Sequence, residues 1–120
     1  MSQKNILIVD DEVILARALE LKLLKVGFDV TVAENGQLAL EEVKKRAFDL
    51  ILLDLLMPEM DGWEVLTTLK GKGLKIVVTS NLGQIEDIAR AKSLGAVDFL
   101  VKSNTSLSQI QEKIQSILAD

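Results

Sequence analysis

Five short apolar runs, rich in leucine or β-branched residues, recur along this chain at a nearly constant interval, and that spacing limits its possible folds more than any other feature. The runs are Asn5 to Val9, Phe28 to Ala33, Asp49 to Leu53, Lys75 to Thr79 and Val97 to Val101, with starts roughly 21 to 26 residues apart. Such an interval accommodates a strand and a crossover helix and is too long for a series of hairpins. The runs are almost unbroken hydrophobic sequence, which predicts strands buried on both faces in a parallel sheet layered between helices.

The intervening segments carry a helical period. Ile14, Leu15, Ala18, Leu19 and Leu23 form one apolar stripe, closed by Gly27, and Ala39, Leu40, Val43 and Ala47 form a second. A third helix opens at Asp61, where Asp61 and Glu64 have capping-box spacing ahead of Val65, Leu66 and Leu69. Ile85, Ile88 and Ala89 mark a fourth, ended by Gly95, and Leu107, Ile110, Ile114 and Ile117 a fifth, with Ser106 and Gln109 as its cap. Five βα units with right-handed crossovers leave few topologies, of which the flavodoxin-like order 2-1-3-4-5 is the commonest. Half of a (β/α)₈ barrel is the alternative, and it would need a second half. No linker or low-complexity tract interrupts the pattern, so one domain over 1–120, with no output domain attached, is expected.

A net charge of −4 provides no basic field for nucleic acid or an anionic membrane, so direct nucleic-acid binding and membrane insertion are not expected. The chain has no cysteine, which excludes disulfides and thiolate metal sites and is what a reducing compartment permits. MSQKN leads straight into the first strand with no signal-peptide pattern, and a cytoplasmic location follows as an expectation.

In a parallel sheet all strands end on one edge, and ligands bind there where the strand order reverses. The first strand ends in Asp10 and Asp11, the third in Asp54, the fourth in Thr79 and Ser80, and the fifth in Lys102. The reversal falls between the first and third strands, which sets Asp11 and Asp54 on either side of one crevice. Carboxylates crowded there repel unless a cation sits among them. Mg²⁺ prefers oxygen ligands and commonly takes one or two carboxylates together with a phosphate oxygen, so an incomplete Mg²⁺ seat is the reading of ILIVDDE. Beside a lone carboxylate, a hydroxyl and an ammonium, that seat suggests phosphoryl transfer. Asp54 would attack phosphorus already ionised, with Lys102 and the Ser80 hydroxyl neutralising phosphoryl oxygens. No histidine occurs in the chain, so a phosphohistidine donor must belong to a partner.

VDDE at 9 to 12, DLLMPEMDG at 54 to 62, the Thr79-Ser80 strand end and FLVK at 99 to 102, in that order and spacing, resemble a response-regulator receiver domain of two-component signalling. The resemblance covers essentially the whole chain. It implies that Asp54 is the phosphoacceptor and that Asp11, Asp54 and the Leu56 backbone carbonyl hold Mg²⁺, or Mn²⁺ in its place, with Asp10 assisting through water. It implies Ser80 as the switch hydroxyl, with Thr79 a minor alternative, and Phe99 as the aromatic that moves inward on phosphorylation. It implies a sensor histidine kinase or histidine phosphotransfer domain as donor, an unknown protein as target, and a homodimer on phosphorylation as one form of output. Leu56 and Leu82 lie where side chains influence water attack on the phosphoryl group, and apolar residues there imply slow decay; Asn81 replaces the family's usual small residue after the switch hydroxyl, placed to crowd the phosphate or donate a hydrogen bond to it. Lys102 is followed by Ser103 where the family usually has a proline in a cis peptide, which leaves the isomer at that bond open.

Other functions fit less of the sequence. An aspartyl-phosphate phosphatase of haloacid dehalogenase-like type needs a second acid two residues after the nucleophile, where Leu56 stands. A flavodoxin-like redox protein needs a phosphate-cradling turn after the first strand and aromatics for a flavin. A receiver serving only as a scaffold would leave the acid, hydroxyl and lysine set unused. Taken singly, the Asp pair could cap a helix and Lys102 could be a solvated side chain; together they must explain their convergence on one edge.

Overall fold

A computed structural model describes residues 3–57, 61–81 and 84–119 of the chain. Strands β1 (Asn5–Val9), β2 (Asp29–Ala33), β3 (Leu50–Asp54), β4 (Ile76–Ser80) and β5 (Ala96–Val101) form one parallel sheet in the order β2-β1-β3-β4-β5. Helices α1 (Val13–Lys25), α2 (Gly36–Lys45), α3 (Gly62–Leu69), α4 (Ile85–Ser93) and α5 (Leu107–Leu118) connect or follow the strands. The expected topology is the observed one, with strand limits displaced by a residue at several ends.

Alternation along the strands divides the core in two. Leu7, Val9, Ile51, Leu53, Val78 and Phe99 face one layer with Ala39 of α2, Val65 and Leu66 of α3, and Ala91 of α4. Ile6, Ile8, Leu50, Leu52 and Val77 face the other, against Ala16, Leu19 and Leu23 of α1 and Ile110, Ile114 and Leu118 of α5. Burying each of the valine, leucine, isoleucine and phenylalanine side chains among them stabilises the fold by roughly 1.5–3 kcal/mol relative to leaving it in water. Both faces of every central strand are therefore paid for by a helix layer, which explains why the runs read as continuous rather than alternating.

The helix faces differ in part from the expected stripes. On α1 the buried line is Ala16, Leu19 and Leu23, while Ile14 is 90% exposed and Ala18 also faces solvent. VILARALELKLLK is apolar on most sides, so periodicity alone does not choose the face, and contact with the sheet does. Ala47 is exposed because α2 ends at Lys45. Ile85 and Ala89 are exposed too, and Ala91 is the one buried residue of α4. The capping expectations are met more closely. Ser106 and Gln109 form a reciprocal capping box, and the Asp61 carboxylate accepts the Glu64 N–H at 3.1 Å.

Gly62, the first residue of α3, lies against the end of β3. Its N–H donates to the Leu55 carbonyl at 2.9 Å, and a Cβ there would collide with the Asp54 carbonyl oxygen and the Leu55 Cα. The glycine of the DG pair is thus required by a close backbone approach beside the strand end that carries Asp54. No cis peptide occurs among the described residues, so the Lys102–Ser103 bond is trans.

Candidate active site

β1 and β3 are neighbours at the point where the strand order reverses, and both run on into an aspartate. Asp10 follows Ile6 and Ile8 in strand alternation, and Asp54 follows Leu50 and Leu52, so both carboxylates emerge on the α1/α5 side of the rim. Each uses one oxygen to fix its own turn. Asp10 Oδ1 accepts the Glu12 N–H at 2.9 Å, and Asp54 Oδ1 accepts the Leu56 N–H at 3.2 Å. The other oxygen of each turns to Lys102, whose Nζ lies 2.9 Å from Asp10 Oδ2 and 3.2 Å from Asp54 Oδ2.

Lys102 reaches this point because β5 ends at Val101 and the chain turns sharply through a short 3₁₀ segment, Lys102–Asn104. Its side chain is only 10% exposed, and its third partner is Glu12 Oε1 at 2.8 Å. Oxygens of Asp10, Glu12 and Asp54 all lie within 4.8 Å of one another. Such a close set of hard oxygen donors suits Mg²⁺ chemically.

Burial pushes the Asp54 carboxyl up to about 6, against the Lys102 charge and the Leu56 N–H bond, which pull it down. It is therefore mostly ionised at neutral pH and competent as a nucleophile. Burial would lower the Lys102 ammonium, but hydrogen bonds to Glu12 and Asp10 and the nearby carboxylate charges hold it above its ordinary value. Lys102 is a permanent cation in this setting.

The remaining expected residues fall around this centre. Asp11 is exposed at the head of α1 and lies outside the close group of three oxygens, whose third member is Glu12. Glu12 is the residue to which sequence reasoning gave no separate task. Its signal was the third acid of the DDE run, but its pairing spans 90 positions and no local spacing encodes it. Thr79 and Ser80 are both buried at the end of β4. Thr79 pairs in register with Asp54, and Ser80 with Val101, the residue before Lys102. Thr79 also lines a cavity of about 50 Å³ between the sheet, α1 and α5. Leu56 is half exposed beside Asp54, Asn81 is exposed, and Leu82 lies outside the described residues. Phe99 is buried among the residues under α2, α3 and α4.

No helix among the described residues is long and apolar enough to cross a membrane. The chain is 35% identical to a probable transcriptional regulator, ycf27, of Porphyridium aerugineum, over 98% of this chain and 49% of that protein. It thus spans about half the length of the curated relatives of that kind. A CheY-like receiver domain from Methanospirillum hungatei superposes with a TM-score of 0.90 at 27% identity, covering 98% of this chain and 94% of that one. The response regulator TrrA of Thermotoga maritima, solved in complex with Mg²⁺ and a beryllium fluoride, superposes with a TM-score of 0.84 at 30% identity, covering 97% and 100%. Residues 6–115 match the response regulator receiver domain family. With its sheet order, its acidic rim and this match, the chain belongs to the receiver domains of two-component response regulators, a family of signalling switches.

Proposed function

We propose that this receiver accepts a phosphoryl group on Asp54 from a phosphohistidine of a sensor kinase or phosphotransfer protein and changes its protein contacts in response. The observation that carries the reading is the placement of an ionisable carboxylate, Asp54, at the rim of the sheet within 3.2 Å of a buried ammonium and beside Asp10. In the transfer, an Asp54 carboxylate oxygen forms the new bond to phosphorus as the partner's N–P bond breaks, and the released imidazole takes up a proton from solvent. Asp54 needs no general base, because its carboxylate is the nucleophile.

Asp11, Asp54 and the Leu56 backbone carbonyl would hold Mg²⁺, with Asp10 acting through water, and Mn²⁺ would serve in its place. The ion supplies charge neutralisation at a phosphoryl oxygen. Lys102 already touches Asp54 Oδ2 and is poised to pair with a phosphoryl oxygen formed there. Ser80, beside the strand residue that precedes Lys102, is the switch hydroxyl, and its movement is coupled to the packing of Phe99. The shift between two packings requires only a few kcal/mol of differential stabilisation. The output is contact with a downstream protein or a homodimer, in the cytoplasm, without direct nucleic-acid binding by this domain. The domain catalyses its own phosphorylation and dephosphorylation and turns over no other substrate.

The test is intact mass after incubation with Mg²⁺ and acetyl phosphate. One phosphoryl adduct is expected on the wild type and none on Asp54→Asn. An adduct of equal yield on the variant, or none on the wild type, overturns the assignment.

A further inference from the structure

The shortest contact of Lys102 is with the one carboxylate that the phosphoacceptor reading leaves without a task. Its Nζ lies 2.8 Å from Glu12 Oε1, against 2.9 Å from Asp10 and 3.2 Å from Asp54. Glu12 stands at the N-cap of α1, yet its side chain makes no capping hydrogen bond. It crosses instead to a residue on the far side of the crevice. Its backbone is fixed by the Asp10 Oδ1 bond to the Glu12 N–H, so the position from which the side chain reaches out is set by Asp10 itself.

The ammonium nitrogen sits among the same three carboxylates whose oxygens lie within 4.8 Å of one another. Mg²⁺ takes oxygen ligands at about 2.0–2.1 Å, so an ion bound to Asp54 competes with the ammonium for that carboxylate. An ion held by Asp54, with Asp10 acting through water, would loosen the hold of both carboxylates on Lys102. A displaced ammonium without an anionic partner would then face a doubly charged neighbour at close range.

We propose that Glu12 is a positioning residue, retaining the Lys102 ammonium at the rim while a divalent ion is held by Asp54 and, through water, by Asp10. This role rests on the reading of the crevice as a divalent-dependent phosphoryl acceptor. Glu12 suits the task because its side chain is 58% exposed while that of Lys102 is largely enclosed, so the pair can persist at the edge of the crevice with the ion inside it. Lys102 then stays within one rotamer change of oxygens added to Asp54. Metal entry would then shift Lys102 from Asp54 and Asp10 onto Glu12 and not expel a charged side chain into solvent.

A double-mutant cycle of Glu12→Gln and Lys102→Met, read by Mg²⁺ titration with calorimetry and amide shifts, tests this without any phosphoryl donor. Glu12→Gln is expected to weaken Mg²⁺ binding about two- to fivefold, the range of a half-exposed ion pair. In the Lys102→Met background the same change should leave the affinity nearly unaltered. An equal loss in both backgrounds would make Glu12 a direct ligand or a background charge and overturn the proposal. The side-chain ammonium resonance of Lys102 gives a second reading that does not depend on Lys102→Met folding. At saturating Mg²⁺ it should remain protected from exchange in the wild type and lose protection in Glu12→Gln. Loss of protection in the wild type as well would refute the retention role. A wild type that shows no response to Mg²⁺ at all would instead defeat the crevice reading beneath it.

Discussion

Replacing Gly62 by alanine should damage this protein in a way that ordinary helix propensity does not anticipate. Gly62 opens α3, and alanine is favoured over glycine in a helix interior by about 1 kcal/mol, so sequence alone suggests a neutral or stabilising change. The structure reverses that sign. The added methyl would occupy space held by the Asp54 carbonyl oxygen and the Leu55 Cα, and neither is a flexible side-chain tip that can swing aside. Overpacking that moves backbone costs about 1–3 kcal/mol, and with main chain in the way the upper part of that range applies. The hydrogen bond from the Gly62 N–H to the Leu55 carbonyl is strained by the same movement. A net loss of about 2 kcal/mol is expected, a fall in melting temperature on the order of 8 °C for a domain of this size. Urea unfolding followed by far-ultraviolet circular dichroism and Trp63 fluorescence should show a lower midpoint with an unchanged slope. Because the displaced backbone includes the Asp54 carbonyl, labelling by acetyl phosphate should slow by about tenfold or more, even at temperatures where the variant is fully folded. A Gly62→Ala protein as stable as the wild type, with undiminished labelling, would refute the claim that this glycine is held by a steric contact with the strand end.

Two further outcomes follow from the same crevice. In the absence of divalent ions, stability should rise as pH falls from 7 towards 5, because the Asp54 carboxyl is raised from 3.8 to about 6 and the fold therefore favours its protonated form. That contribution is complete below the unfolded value and is lost as pH climbs through 6; it amounts to at most about 3 kcal/mol over the whole window. Thermal melts across this range should show the slope in the wild type and not in Asp54→Asn. Asp98, held below its ordinary value by Lys113 despite the opposing effect of burial, works in the other direction but only at lower pH. Separately, Leu56 stands half exposed two residues beyond Asp54 with no group to orient a water. Purified phosphoprotein should therefore decay more slowly than its Leu56→Asn counterpart, and faster decay of the wild type would contradict that role.

The parts of this molecule legible in the sequence are those governed by short-range repetition. The unbroken apolar run of each strand and the nearly constant interval between strands determine the parallel sheet, and the order of strands then carries Asp10, Asp54 and Lys102 to one rim. Caps were legible for the same reason, since Ser106 and Gln109 are only three residues apart. The faces of α1 and α4 were not. Ile14 and Ile85 have the spacing of core residues yet stand in water, because a helix with apolar residues on several sides is oriented by what it packs against. Glu12 escaped assignment for a related reason. Its partner is chosen by how two distant turns meet, and the DDE run identifies three acids without saying which of them bends inward.

The slight anchoring of α4 has a consequence of its own. With Ala91 fully buried and Ile88 partly buried against the core, α4 leaves much of its remaining surface open to variation. Such a face can be rewritten while the cluster of Asp10, Asp54 and Lys102, carried by the ends of β1, β3 and β5, stays in place. A strictly specified rim and a loosely held flank thus answer to separate constraints within one small scaffold.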